Sequence, residues 1–180
     1  MDLSFTLSVW IHTILSLVAI VAGFPVVRDL LHSRADGPWT MTFLVTALAT
    51  NITGFFLPAS QFLPSHAVGI LSTILLIVAI LARYAFDFTG VWRWVYAVGM
   101  TLGQYFLLFV LVAQLFLKVH ALKALAPTQS EPPFAIAQIA LLIIFIALLI
   151  QAIRRFHPQP RRAAAPHRRS VARRQASRPG

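Results

Sequence analysis

Five long apolar stretches constrain the fold of this chain more than any other feature of its sequence. They cover residues 4 to 24, 39 to 57, 66 to 84, 94 to 118 and 133 to 153. Each is close to the roughly 20 helical residues that cross a hydrocarbon core about 30 Å thick. Apolar and polar residues do not alternate in them, and an open sheet in lipid would leave backbone groups without hydrogen bonds. The sequence therefore predicts an all-α membrane bundle with about five transmembrane helices.

The composition supports the same class. Only 11% of the residues are charged and the mean hydropathy is +0.78, whereas soluble domains carry roughly 25% charged residues. The chain has no cysteine, which excludes disulfides, iron–sulfur clusters and thiolate metal sites. No Lys or Arg precedes the first apolar stretch. Because a signal peptide begins with a basic region, we expect this stretch to remain as a helix.

The distribution of basic residues predicts the orientation of the helices, because Lys and Arg in short loops mark the cytoplasmic face. Arginines follow the first, third and fifth stretches: Arg28, Arg34, Arg83, Arg93, Arg154 and Arg155. The loop from residue 58 to 64, after the second stretch, has no charge. We therefore expect the N-terminus outside and the C-terminus inside the cell.

Residues 1 to 155 would form the transmembrane domain, and residues 156 to 180 an Arg-rich tail. The tail has no apolar run to offset its ordering entropy, so we expect it to be disordered. Candidates for binding anionic lipid headgroups are Arg154, Arg155, Arg161, Arg162, Arg168 and Arg169. The alternative is a topology anchor that contacts lipid non-specifically. We expect no nucleic acid, because no aromatic residue among these arginines is available to stack on bases.

Small and polar residues predict which helix faces meet protein. In the fourth stretch, Gly99 and Gly103 have the spacing that favours close helix packing, and Gln104 beside them would join helices. Threonines of the second stretch can bond to carbonyls of their own helix, so only Asn51 requires an external partner. Asn51 lies at the depth of His12, and the two would meet if the first two helices are neighbours.

Polar side chains concentrate in the outer half of the predicted bundle. They are His12, Asn51, His66, Gln114, Lys118, His120, Glu131 and Gln138. Histidine is a common ligand of metals and of haem iron, and bundles build such sites from facing helices. One hypothesis is therefore a haem, metal or quinone site with His12, Asn51 and either His66 or His120. The alternative is that His12 only joins helices, through Ser8, Asn51 or a water molecule.

Three segments carry a resemblance to a known group of proteins. They are residues 21 to 25, residues 53 to 58, and the run from Phe116 through LKVHALKALAPTQSEPPF to Phe134. On these segments the chain resembles small multi-pass bacterial inner-membrane proteins of uncharacterised activity. The resemblance covers residues 1 to about 155. The resemblance implies a bacterial inner-membrane location and carries over no functional residue. It also implies that Pro often replaces His120, which favours His12 and His66 as the pair.

Two classes of function stay open. The first is a non-catalytic structural or accessory subunit that acts through lipids, a partner membrane protein or a second copy of the chain. The second is a redox-related protein that binds haem, a metal or a quinone around His12. An enzyme is less favoured, because catalysis inside the membrane needs a nucleophile with a base, or paired carboxylates, and the five stretches contain no Asp or Glu.

Overall fold

Six α-helices make up the part of the chain that the computed structural model describes, residues 3–57 and 64–158. They are α1 (Leu3–Leu31), α2 (Pro38–Phe55), α3 (Pro64–Tyr84), α4 (Trp92–Lys118), α5 (His120–Leu125) and α6 (Pro132–Arg155). No strand occurs within these residues, so the predicted all-α class is confirmed.

Four of the helices are long and apolar enough to cross a membrane. They are Leu7–Leu31, His66–Tyr84, Trp92–Lys118 and Pro132–Arg155. The remaining predicted span, residues 39 to 57, is also helical: α2 has 18 residues and packs against α1 and α3. Its threonines and Asn51 make it more polar than the other long helices. A membrane crossing by α2 therefore stays a prediction.

The first helix continues to Leu31, although the sequence predicted its end at residue 24. Proline lacks an N–H and crowds the preceding helical turn, so it usually ends or kinks a helix. Pro25 lies inside α1 nonetheless. A break there would leave further backbone groups without partners in an apolar surrounding, which favours continuing the helix.

The helices alternate in direction, so the ends of α1, α3 and α6 meet at one end of the bundle, here called the basic end. Its name comes from basic residues in their last turns: Arg28, Arg83, Arg154 and Arg155. After α1, Ser33 donates to the carbonyl of Arg155 and accepts from the amide of His157 at 3.1 Å. The opposite end, where α1 and α3 begin, is called the cavity end.

Arg83, in the last turn of α3, is buried and joins three parts of the basic end. Its guanidinium donates to the carbonyl of Ala35 in the α1–α2 loop and to the carboxylate of Asp36 at 2.9 Å. It also lies 3.4 Å from the hydroxyl of Tyr96 on α4. The sequence analysis used Arg83 only as a marker of orientation. The structure adds that this side chain links α3, α4 and the α1–α2 loop.

Aromatic rings cover this linkage. The rings of Phe88 and Tyr96 lie 5.0 Å apart, and the ring of Phe156 lies 5.6 Å and 5.4 Å from them. Such pairs add about 0.5–1.5 kcal/mol beyond the area they bury. Phe156, the first residue of the predicted tail, is fully buried, so the packed bundle includes it. Residues 159–180, which hold most of that tail, lie outside the described residues.

Glycine allows α3 and α4 to approach closely. A Cβ atom added at Gly99 would lie 2.8 Å from the carbonyl oxygen of Leu75, and one at Gly103 would lie 2.9 Å from a methyl of Leu76. Real Cβ atoms do not approach neighbours this closely. The predicted close packing at Gly99 and Gly103 is therefore confirmed, and its partner is α3.

A buried amide joins α4 to α1. Gln104 is almost fully buried and donates to the carbonyl of Ile20 at 3.0 Å. A Cβ atom at Gly23 would lie 1.7 Å from the amide oxygen of Gln104, so this glycine leaves the space that the amide fills. The interpretation of Gln104 as a link between helices is confirmed.

We predict that Arg83→Ala lowers the free energy of unfolding by roughly 3 kcal/mol. The substitution removes the guanidinium from the hydroxyl of Tyr96 and from the carbonyl of Ala35, which keeps only the long bond from Thr40 at 3.4 Å, and a buried group left without its partner costs about 1–3 kcal/mol. Asp36→Asn should cost about 1 kcal/mol or less, because the Asp36 side chain is 71% exposed. Chemical unfolding in mixed detergent micelles measures both. Equal losses for the two variants would contradict this account of the basic end.

Candidate functional site

A cavity of about 460 Å³ lies between α1, α2, α3 and α4 at the cavity end of the bundle. Five of the eight polar residues grouped by the sequence analysis line it: His12, Asn51, His66, Gln114 and Lys118. Apolar side chains such as Leu17, Ile20, Leu107 and Val110 form the rest of the wall. The cavity therefore combines a minority of polar groups with an apolar wall, as small-molecule sites do.

The cavity exists because the packed core occupies only the other half of the bundle. On the four helices that line the cavity, the central core cluster begins at Ala19 on α1, ends at Ala47 on α2, begins at Leu76 on α3 and ends at Leu107 on α4. Beyond these levels each of the helices α1, α2 and α3 places small residues among the larger apolar ones that line the cavity: Ser16, Gly54, Gly69 and Ser72. Their side chains are too short to fill the space between the helices.

His12 reaches from α1 to α2. Its Nδ1 lies 3.1 Å from the hydroxyl oxygen of Thr53, and a Cβ atom at Gly54 would lie 3.3 Å from its Cε1. The ring therefore rests beside Gly54, which leaves room for it. The sequence analysis named Ser8, Asn51 or water as the partner of His12. The structure gives it the hydroxyl of Thr53, and its ring also has a hydrogen-bonding contact with the backbone of Thr50.

Asn51 bonds to α3, and the predicted contact with His12 is replaced by this one. Its amide nitrogen donates to the hydroxyl of Ser72 at 3.1 Å. The threonines around it donate to carbonyls of their own helix, Thr46 at 2.6 Å and Thr50 at 2.8 Å, as the sequence predicted. Asn51 thus joins α2 to α3, while His12 joins α2 to α1.

His66 lies in the first turn of α3, at the wall of the cavity. Its ring stacks on that of Phe55, with centroids 5.9 Å apart and an angle of 18° between the planes. A Cβ atom at Gly69 would lie 3.5 Å from the Phe55 ring. Phe55 and Gly69 were not singled out from the sequence. Their spacing from Asn51 and His66, about one helical turn, is the signal that places them on the same faces.

Three of the grouped polar residues do not line the cavity. His120 lies exposed on α5, which agrees with the choice of His12 and His66 as the favoured pair. Gln138 on α6 donates to the carbonyl of Phe109 on α4 at 3.1 Å, so it joins these helices. Glu131 is the N-cap residue of α6, and its carboxylate accepts hydrogen bonds from Thr128 and Ser130.

The charge of Glu131 is stabilised by this loop. Desolvation raises its pKa, but hydrogen bonds from the hydroxyl of Thr128 and from the backbone amides of Thr128 and Ser130 outweigh that effect. The pKa of Glu131 consequently lies below its usual value. The carboxylate is thereby committed to the turn before α6 rather than to the cavity.

The predicted lipid-binding arginines are described only in part. Arg154 and Arg155 are exposed at the end of α6, at the basic end. The other four, Arg161, Arg162, Arg168 and Arg169, lie outside the described residues. Their contact with anionic headgroups stays a prediction.

The donor set limits the chemistry of the cavity. Among residues 3–57 and 64–158, no three His, Asp or Glu side chains come together to hold a metal ion. Haem needs only one or two axial ligands, which His12 and His66 could supply. The polar groups on apolar walls also suit a lipophilic molecule that carries a few oxygen atoms.

Comparison with protein-family models, with curated proteins and with solved structures finds no match to this chain. The geometry of the cavity and of the helices around it is therefore the ground on which a function is proposed.

Proposed function

We propose that this chain is a multi-pass membrane protein that binds a lipophilic small molecule with an oxygen-bearing ring as its head group, the class to which membrane quinones and hydroquinones belong. The observation that carries the proposal is the convergence of His12, Asn51 and His66 on one cavity of about 460 Å³. Ligand cavities in proteins measure about 300–1,000 Å³ and have mostly apolar walls with a few polar groups. His12 would be the central hydrogen-bond partner of the head group.

The size of the cavity supports ligand binding over a purely structural role for these residues. Protein interiors are close-packed, and unfilled space lowers stability in proportion to its volume. A bundle that acted only as a scaffold would gain stability from a larger apolar side chain at a position such as Ser16. The small residues that line the cavity keep the space open instead.

A second candidate is a structural or accessory subunit that acts through another membrane protein or a second copy of the chain. It is favoured by the outward face of α6, because only 6% of the most apolar stretch of this helix is buried. Isoleucines cover this face at helical spacing: Ile136, Ile139, Ile143, Ile146 and Ile150. Lipid tails would cover the same face equally well, so the cavity carries the first proposal further.

The proposed location is the bacterial inner membrane, with five crossings, the N-terminus outside and the basic end in the cytoplasm. The basic residues gathered at that end support this orientation. There, Arg154 and Arg155 would contact anionic lipid headgroups. The cavity would then open in the outer half of the membrane.

Single cysteines test this topology, because the chain has none of its own. We expect a membrane-impermeant maleimide added to intact cells to label Phe56→Cys, after α2, and Lys123→Cys, on α5. The same reagent should label Thr89→Cys, in the α3–α4 loop, only after the membrane is broken. Labelling of Thr89→Cys in intact cells, or protection of Phe56→Cys, would contradict the orientation or the crossing by α2.

A quinone titration tests the proposed ligand class. In lipid nanodiscs under reducing conditions the chain should bind decylubiquinol, the reduced form of decylubiquinone, saturably, and His12→Ala should weaken binding about 5-fold or more, since it removes a hydrogen bond. His32→Ala is the matched control, because His32 is exposed at the basic end and bonds only to its own helix. We expect the control to bind like the unaltered chain.

The absorbance spectrum of the same preparation distinguishes a haem site from a site for the quinone class. A Soret band that His12→Ala abolishes would assign haem to the cavity and overturn the quinone-class proposal. Binding that is not saturable, or that is equal in His12→Ala and His32→Ala, would overturn the assignment of the cavity as the binding site.

A further inference from the structure

We infer that the cavity selects a ligand that donates a hydroxyl hydrogen, a phenol or hydroquinone, over the matching ether or quinone, with Nε2 of His12 as the acceptor. This inference rests on the proposed function and adds the chemical class that the site prefers. It follows from counting the hydrogens available to the polar groups of the wall.

The partners of Thr53 determine which group donates in its hydrogen bond with His12. The hydroxyl of Thr53 has one hydrogen, and its oxygen lies 2.8 Å from the carbonyl of Ala49 and 3.2 Å from that of Thr50. Carbonyl oxygens only accept, so the hydrogen is needed there. Of the partners that the described residues give this hydroxyl, His12 Nδ1, at 3.1 Å, is the one that can be a donor. The hydrogen of a neutral His12 therefore sits on Nδ1.

With its hydrogen on Nδ1, the ring of His12 has one further nitrogen, Nε2, for a ligand. In neutral imidazole one ring nitrogen carries the hydrogen and the other accepts, so Nε2 is an acceptor here. His12, Thr50 and Gly54 line the cavity, whereas Thr53 does not. The bond to Thr53 thus engages Nδ1 and leaves Nε2 as the ring nitrogen that would serve a ligand.

Three hydroxyl groups elsewhere on the cavity wall have no hydrogen left for a ligand. Thr13, Ser16 and Thr50 donate their hydroxyl hydrogens to carbonyls of their own helices, at 2.8 Å each. Thr13, Ser16 and Thr50 therefore offer only acceptors to a ligand. Asn51 gives one amide hydrogen to Ser72 and keeps its second amide hydrogen and its oxygen, so it can donate or accept, as can the hydroxyl of Ser72.

Donors are found at another part of the wall. Gln114 and Lys118 lie in the last two turns of α4, and both line the cavity. Their amide and ammonium groups would donate to a second oxygen of the ligand, as in a hydroquinone with two oxygens across its ring. The positive charge of Lys118 and the apolar wall oppose a cation as the occupant.

A pair of ligands that differ in one hydrogen-bond donor tests the inference. In 4-nonylanisole a methyl group replaces the hydroxyl hydrogen of 4-nonylphenol. At about pH 8, above the ordinary pKa of histidine near 6.5, the unaltered chain in nanodiscs should bind the phenol about 5- to 10-fold more tightly, the value of one hydrogen bond. Titration calorimetry measures both affinities.

Thr53→Val tests the role of the hydroxyl that orients His12. Without this acceptor the ring hydrogen is free to move to Nε2, so the preference for the phenol should fall to about 2-fold while the anisole binds unchanged. Thr46→Val is the matched control, because Thr46 also bonds to its own helix but does not line the cavity or contact His12. We expect it to keep the full preference.

The outcomes separate the inference from the proposed function. Equal saturable binding of both ligands by the unaltered chain would overturn the inference and leave a lipophile site in place. Failure to bind either ligand or decylubiquinol would overturn the proposed function itself. A full preference in Thr53→Val would contradict the tautomer argument, even if His12→Ala proved too unstable to measure.

Discussion

The guanidinium of Arg83 closes one end of this bundle, and the packing of the other elements follows from that closure. It joins the end of α3 to the α1–α2 loop and to Tyr96 on α4. Phe156 brings the end of α6 onto the same cluster. With these ends fixed, the glycines of α4 approach α3 closely and Gln104 reaches α1. The core is consequently continuous from the basic end to the middle of the bundle.

The opposite half is held together by different forces. There the helices are joined by single hydrogen bonds, from His12 to Thr53 and from Asn51 to Ser72, and by the stacking of Phe55 on His66. Interhelical hydrogen bonds of this kind contribute only about 1 kcal/mol each in membrane proteins. They fix the positions of a few polar groups and leave the volume between the helices unfilled. The close-packed half of the bundle thus holds the four helices in place around the cavity in the other half.

Much of this was readable from the sequence. Apolar length predicted the helices, the glycine spacing predicted the close packing of α4, and the depths of His12 and Asn51 predicted that they line one region. What sequence could not supply was the identity of the neighbours. Asn51 and His12 lie at the same depth in the bundle, but Asn51 is on the side of α2 that faces α3. Thr53, on the side of α2 that faces α1, contacts His12 instead. The buried role of Arg83 was hidden for a similar reason, because its partners lie in a distant loop.

The central claim is that the space beside His12 is a binding site. A density map of the chain in lipid nanodiscs, prepared with a hydroquinone of the ubiquinone type under reducing conditions, tests it most directly. The account predicts non-protein density between α1 and α4, with a ligand oxygen within hydrogen-bond distance of Nε2 of His12 and the bond from Nδ1 to Thr53 intact. A map in which α1 and α4 close over the space, or in which it holds only water, would contradict the account.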